Sequence, residues 1–135
     1  MSSTADAFLT FYHQGENRDY KIESFICEPA NKTFEGQFIF ECCGHSIKLT
    51  SVYGHSSDGL IVVVDGKLLF SGDTLLSVPT ATRFPSGNSK KFWCEDIPML
   101  KGSKNIELVY PGHGKPGCLD EMLEINKMPE RYKKL

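Results

Sequence analysis

Residues 53–76 read YGHSSDGLIVVVDGKLLFSGDTLL. At the centre of this stretch Asp65-Gly66 is a strong signal for a two-residue turn between antiparallel strands. Before it, Leu60 to Val64 is near-continuously apolar, which is expected of a strand covered on both faces. After it, Lys67 to Ser71 supplies the return strand. At the two ends stand one imidazole, His55, and one carboxylate, Asp73, each beside a glycine. The stretch therefore predicts a hairpin that carries chemistry-bearing side chains where its strands end.

The same pattern extends outward. Upstream, Gln37 to Glu41 and Ser46 to Tyr53 are strand-like, with Ile47, Leu49 and Ser51 on one face. Downstream, Leu75 to Asn88 is rich in Pro, Thr, Ser and Gly and reads as a loop. Arg83 in that loop either holds an anionic group or is simply solvated. Asn88 or Ser89 caps an expected helix through Phe92, Trp93, Ile97 and Leu100. Ile106 to Tyr110 reads as a strand running into residues 110–117, YPGHGKPG. Gly117 to Lys127 reads as a helix with Met122, Leu123 and Ile125 apolar, ended by Pro129. At the N-terminus, Ser3 or Thr4 caps a short helix over Ala5 to Tyr12, with Phe8, Phe11 and Tyr12 on one face.

Composition bounds the function. A chain of 135 residues, 40% hydrophobic and 24% charged, suits one soluble domain over 1–135. A formal net charge of −2 gives no nucleic-acid footprint. The longest apolar run is far too short to span a bilayer. The first ten residues lack the basic and apolar regions of a secretory signal. Five cysteines, with no C-x-x-C pair, suit neither a disulfide framework nor a structural zinc knot. These features predict a cytoplasmic protein with reduced thiols, most of them buried, with an exposed Cys42 or Cys43 as the exception to look for.

Three groups stand out. In YPGHGKPG the prolines fix φ and the glycines permit close approach, so His113 is presented at a defined place. His55, Asp73 and His113 each follow an expected strand and each adjoin glycine. Ligands gather at strand ends in layered α/β folds. Two imidazoles and a carboxylate suit zinc with an open position, or a non-haem iron. Separations of 18 and then 40 residues exclude a single-helix motif, so the fold must bring the groups together. Taken singly, His55 reads equally well as a strand-end residue satisfied by backbone, Asp73 as a turn cap and His113 as part of a surface turn.

The stretch 53–76 followed by YPGHG resembles the metallo-β-lactamase superfamily, over roughly residues 28–116. The resemblance implies that His55 binds one metal, Asp73 bridges two and His113 binds the second. It also implies that His55 and Asp73 serve catalysis, activating water against an ester, thioester, lactam or phosphodiester. Zinc is the expected ion, with iron or manganese as alternatives. The family's H-x-H-x-D-H motif is absent: the four histidines are His13, His45, His55 and His113, and no two are separated by a single residue. His13, on an expected helix, is a poor substitute. His45, at a strand start, reads as structural or exposed. The chain thus resembles the C-terminal part of the family's αββα sandwich. The expected fold is an α/β half-sandwich, a mixed sheet with helices on one face. Such a half leaves a sheet face to be covered, which suggests a homodimer, or a heteromer with a chain supplying the missing half. Three functions follow: a hydrolase completed by a second chain, a one-metal hydrolase, or a non-catalytic module on the same scaffold.

Overall fold

A computed structural model describes residues 30–83, 85–130 and 133. The expected helix over Ala5 to Tyr12, His13 and Cys27 lie outside the described residues. The chain divides into two compact units, Met1–Thr33 and Phe34–Leu135, and every element below belongs to the second. Among the described residues, no helix is long and apolar enough to cross a membrane.

The elements run β1 (Gln37–Cys42), β2 (His45–Val52), β3 (Gly59–Val64), β4 (Leu68–Gly72), α1 (Ser89–Lys91), a π turn (Phe92–Asp96), α2 (Ile97–Gly102), β5 (Leu108–Pro111) and α3 (Leu119–Ile125). The five strands form one sheet in sequence order. Strands β1 to β4 pair antiparallel, and β5 returns through the helices to pair parallel with β4. The mixed sheet follows from the loop lengths. Turns as short as Asp65-Gly66 allow only antiparallel neighbours, whereas the long passage from β4 to β5 permits a parallel one.

The helices cover one face of the sheet. In the β2–β3 register Thr50 opposes Ile61, and in the β3–β4 register Val63 opposes Leu69. Thr50, Val52, Ile61, Leu69 and Val109 are buried there, with Phe92, Ile97, Leu100, Leu119, Met122 and Leu123 packed over the sheet. The opposite face carries Phe38, Phe40, Ile47, Leu49, Val62, Phe70 and Tyr110. Phe38, Phe40 and Phe70 are 44%, 38% and 41% exposed. Phe38 and Phe40 pack ring to ring, and Phe70 stacks on Tyr110 with centroids 4.9 Å apart. Among the described residues, the helices cover one face of the β3 run, and on the opposite face Ile47, Leu49, Ser51, Val62 and Val64 are half-buried. Strand β1 is exposed on both sides, because the helices do not reach the sheet edge.

Two further expectations change. Cys94 and Cys118 are exposed, against the expected burial, and so are Cys42 and Cys43, the pair singled out as the exception. Cys43 lies at a hairpin tip, Cys94 on the outer side of the π turn and Cys118 just ahead of α3, so none points into the core. The expected single helix after Asn88 is capped as anticipated, with Asn88 Oδ1 accepting from Lys91 N at 3.0 Å. It is interrupted by the π turn, where Ile97 N donates to Phe92 O, five residues back. Pro98 has no N–H to continue an α-helical ladder, and the wider turn absorbs that break.

Candidate functional site

Strand direction assembles the site. In an antiparallel run, alternate strands point the same way, so β2 and β4 end at one edge of the sheet. Strand β5, parallel to β4, ends there too. His55 follows β2, Asp73 follows β4 and His113 follows β5. The three expected residues are thus brought together by topology. His55 Nε2 lies 3.7 Å from Asp73 Oδ2, and His113 Nε2 lies 3.4 Å from Asp73 Oδ1. Each oxygen of one carboxylate faces a different imidazole.

The two imidazoles are held very differently. His55 is only 16% exposed. Its Nδ1 lies 2.7 Å from the Ala81 carbonyl oxygen. A carbonyl only accepts, so Nδ1 carries the proton, and in the neutral ring the lone pair falls on Nε2, the nitrogen nearest Asp73. The loop before His55 is clamped from below. Gly54 N donates to Asp96 Oδ2 at 2.7 Å, and Tyr53 N reaches Asp96 Oδ1 at 3.5 Å. Asn88 N donates to Gly54 O at 2.8 Å. A Cβ on Gly54 would lie 2.4 Å from Phe92 Cβ, so only glycine lets the loop seat against the π turn. Burial raises the Asp96 carboxyl above its usual range, an effect opposed by the hydrogen bonds from Gly54 and Tyr53.

His113, by contrast, is 78% exposed. Its loop is closed by its backbone. Val109 N donates to Gly117 O and Gly117 N to Val109 O, so residues 110–116 fold back over β5. Gly112 N donates to Gly72 O at 2.8 Å, and a Cβ on Gly112 would lie 2.5 Å from Asp73 Oδ1. The glycine before His113 therefore makes room for the carboxylate that His113 faces. Gly114, at φ 90°, turns the chain after it.

Two ligands bonded at about 2.0–2.1 Å to a tetrahedral zinc lie roughly 3.4 Å apart, so each His–Asp73 pair suits ion binding. Among the described residues, however, no three His, Cys, Asp or Glu side chains are set to hold a single metal ion. The arrangement is one carboxylate whose two oxygens each face a different imidazole. His45 stands apart from the site, at the other end of β2, where its Nδ1 donates to Asp65 Oδ2 at 2.6 Å. Arg83 is exposed to solvent.

No protein-family model and no curated protein matches the chain in sequence. Solved structures do match. ETHE1 from Myxococcus xanthus is 22% identical with a TM-score of 0.58, over 68% of this chain and 43% of that one. ST1585 from Sulfolobus tokodaii, an archaeal metallo-β-lactamase superfamily protein, is 21% identical with a TM-score of 0.51, over 73% and 37%. TMB-1 is 24% identical with a TM-score of 0.56, over 72% and 45%. All three are metallo-β-lactamase superfamily members. The fold is a partial metallo-β-lactamase-like domain. The chain spans less than half the length of each of these proteins.

Sequence reasoning about this metallo-β-lactamase-like half missed two polar residues that position its loops. Asp96 is one. Asn126, at the end of α3, is the other. Its Nδ2 donates to Leu76 O, Val78 O and Met122 O, and its Oδ1 accepts from Thr80 N at 2.7 Å. It fastens the loop after Asp73 to α3. Asp96 carried at most a faint signal, an acid beside Glu95 in an otherwise apolar helical stretch, two residues before Pro98. Asn126 carried none, since asparagine past a helix end is ordinary.

Proposed function

We propose that this chain contributes His55, Asp73 and His113 to a metal-dependent hydrolase site of the metallo-β-lactamase type, completed by ligands from outside these 135 residues. The observation that carries the reading is the Asp73 carboxylate, whose two oxygens face two imidazoles at 3.4 and 3.7 Å. Asp73 would sit between two ions, His55 would bind one through Nε2 and His113 the other. The chemistry such zinc ions supply is Lewis-acid activation of water and of a carbonyl or phosphoryl group. This chain's own part is to fix the donors. Ala81 sets the His55 tautomer, Asp96 holds the loop that carries it, and Gly112 admits the carboxylate. Substrates of the ester, thioester, lactam or phosphodiester class fit that chemistry.

A second chain is the simplest source of the missing ligands. Among the described residues, no helix packs on the other face of the sheet that ends in the site, where Phe38, Phe40 and Phe70 are partly exposed. A partner bringing a second apolar sheet face and the missing metal ligands would cover that face and complete both shells. A non-catalytic module on the same scaffold is the second reading. It is favoured by the absence, among the described residues, of a closed three-ligand set.

The test is zinc binding and hydrolysis of a chromogenic ester, thioester, phosphodiester and β-lactam. It is run on the chain alone and with candidate partner chains that carry an H-x-H-x-D-H motif. Activity that needs the partner and vanishes with Asp73→Ala supports the hydrolase. Unchanged zinc uptake and no turnover under every condition supports the module.

A further inference from the structure

The two edges of the sheet are finished differently. On one side, β5 is closed by its own loop. Val109 N donates to Gly117 O at 2.9 Å and Gly117 N to Val109 O at 3.0 Å, and Pro111 ends the strand without a donor. On the other side stands β1, which pairs with β2 alone. All 6 of its residues are exposed, Ile39 to 61%. Edge strands are ordinarily blunted by lysine, proline, a bulge or brevity. The sequence QFIFEC over 37–42 has neither lysine nor proline, and its register with β2 runs unbroken.

That register decides which way the main chain faces. Gln37 opposes Thr50, so Gly36 falls opposite Ser51, and Ser51 N donates to Gly36 O at 2.8 Å. Antiparallel ladders alternate hydrogen-bonded and non-hydrogen-bonded pairs. Phe38, Phe40 and Cys42 therefore turn their main-chain groups to β2, while Gln37, Ile39 and Glu41 turn theirs outward. Among the described residues, nothing bonds to those outward groups.

A second copy of the strand supplies what this edge lacks. A two-fold axis perpendicular to the sheet, through Ile39, runs two β1 strands antiparallel and keeps each face on its own side. Ile39 then opposes Ile39, and Gln37 opposes Glu41, so the residues with outward main-chain groups meet one another. On the other face Phe38 opposes Phe40, once on each side of the axis. Within one copy Phe38 already packs on Phe34 and Phe40, with centroids 5.9 and 5.7 Å apart, so pairing joins two aromatic rows into one cluster. Charge selects this register over its neighbours. Centring on Phe38 sets Glu41 against Glu35, centring on Phe40 sets Glu41 against Ile39, and centring on Glu41 sets it against itself.

We propose that this chain forms a two-fold dimer by antiparallel pairing of β1 with β1 of a second copy, centred on Ile39, so that the two sheets become one. The pairing uses up β1, and β5 is closed by its own loop, so the assembly stops at two. The surface shares no residue with the His55, Asp73 and His113 cluster and does not involve Phe70.

Sedimentation velocity of the full chain across the micromolar range reads the association. The expected result is a reversible rise in mass that levels at two copies. Ile39→Lys sets two ammonium groups against each other at the axis. It should weaken the dimer about tenfold or more, while the melting temperature of the dilute chain stays unchanged because the side chain is exposed. Ile39→Glu alone should behave alike. An equimolar mixture of the two variants should dimerise again, because opposite charges then meet at the axis. Phe70→Lys should leave the dimer intact. The proposal is overturned by a parent chain that stays monomeric, as it would if the edge served another protein's strand. A dimer indifferent to Ile39→Lys, variants that stay monomeric on mixing, or a mass that grows past two copies would overturn it equally.

Discussion

The loop that carries His55 and the loop that carries His113 end neighbouring parts of one sheet edge, yet they are built on opposite plans. The first is seated on a buried carboxylate, and its imidazole is mostly shielded. The second is fastened by its own backbone, and its imidazole stands in solvent. The first plan spends a buried charge and a glycine contact to fix one nitrogen. The second fixes a loop and leaves the side chain open. One imidazole is thus preorganised within this chain, while the other is left open to whatever approaches from outside.

Breaking the buried side should have the largest effect. Gly54→Ala places a methyl 2.4 Å from Phe92 Cβ and 2.6 Å from Phe92 Cα. Backbone must shift, at a cost of about 3 kcal/mol or more. Thermal unfolding measures it, and a melting temperature within a degree of the parent would refute the clamp.

Asp96→Ala comes next, because it strands two backbone N–H groups, at about 2–4 kcal/mol. Asp96→Asn sharpens the point through pH. Burial raises the folded-state carboxyl of Asp96 above its unfolded value. The proton then binds the folded state more tightly, so this contribution to stability is fully present below the ordinary carboxylate value and is lost as pH rises through the raised one. The melting temperature of the parent minus that of Asp96→Asn should fall as pH climbs out of the acid range. A difference that rises with pH would contradict the desolvated carboxylate.

On the open side, Gly112→Ala should leave the fold largely intact. It presses on Asp73 Oδ1 and should weaken zinc binding about 10–100-fold, the scale of a disturbed ligand support. Calorimetry that finds unchanged affinity would remove Gly112 from the site. His113→Ala should be the mildest, shifting stability by less than about 0.5 kcal/mol, since the side chain is exposed. An unfolding shift as large as that of Asp96→Ala would mean the two loops do not differ as described.

The strands, and the meeting of His55, Asp73 and His113 at one end of the sheet, were legible in the sequence for a physical reason. Asp65-Gly66, the alternation in residues 46–53 and the Gly/Pro bracket of His113 are local signals, and alternate strand ends meet wherever a hairpin run is built. What holds the loops was illegible because it is non-local. Asp96 bonds a backbone more than forty positions away, and Asn126 reaches back to residues 76–80. Which sheet face is covered was half legible. Ile47, Leu49 and Ser51 share a face as their spacing requires, but periodicity cannot tell the helix-covered face from the open one when both are apolar. The π turn was hidden in the same way, since apolar spacing over 92–100 fits an ordinary helix and only Pro98 hints at the break.

Association offers a further way to test the open face. Phe70→Lys, on the exposed face, should leave the melting temperature of the isolated chain nearly unchanged and, with the β1 edge blocked by Ile39→Lys, abolish any remaining concentration-dependent mass increase in light scattering. A parent chain that stays monomeric at every concentration and with every partner offered would leave the face without the role assigned to it.

The central claim is that Asp73 is the shared ligand of an incomplete two-ion site. Zinc calorimetry of the parent chain and of Asp73→Ala tests it most directly. Zinc uptake that is weak in the parent chain and absent once Asp73 is replaced is the predicted result. Uptake of equal affinity and stoichiometry in both chains would contradict it.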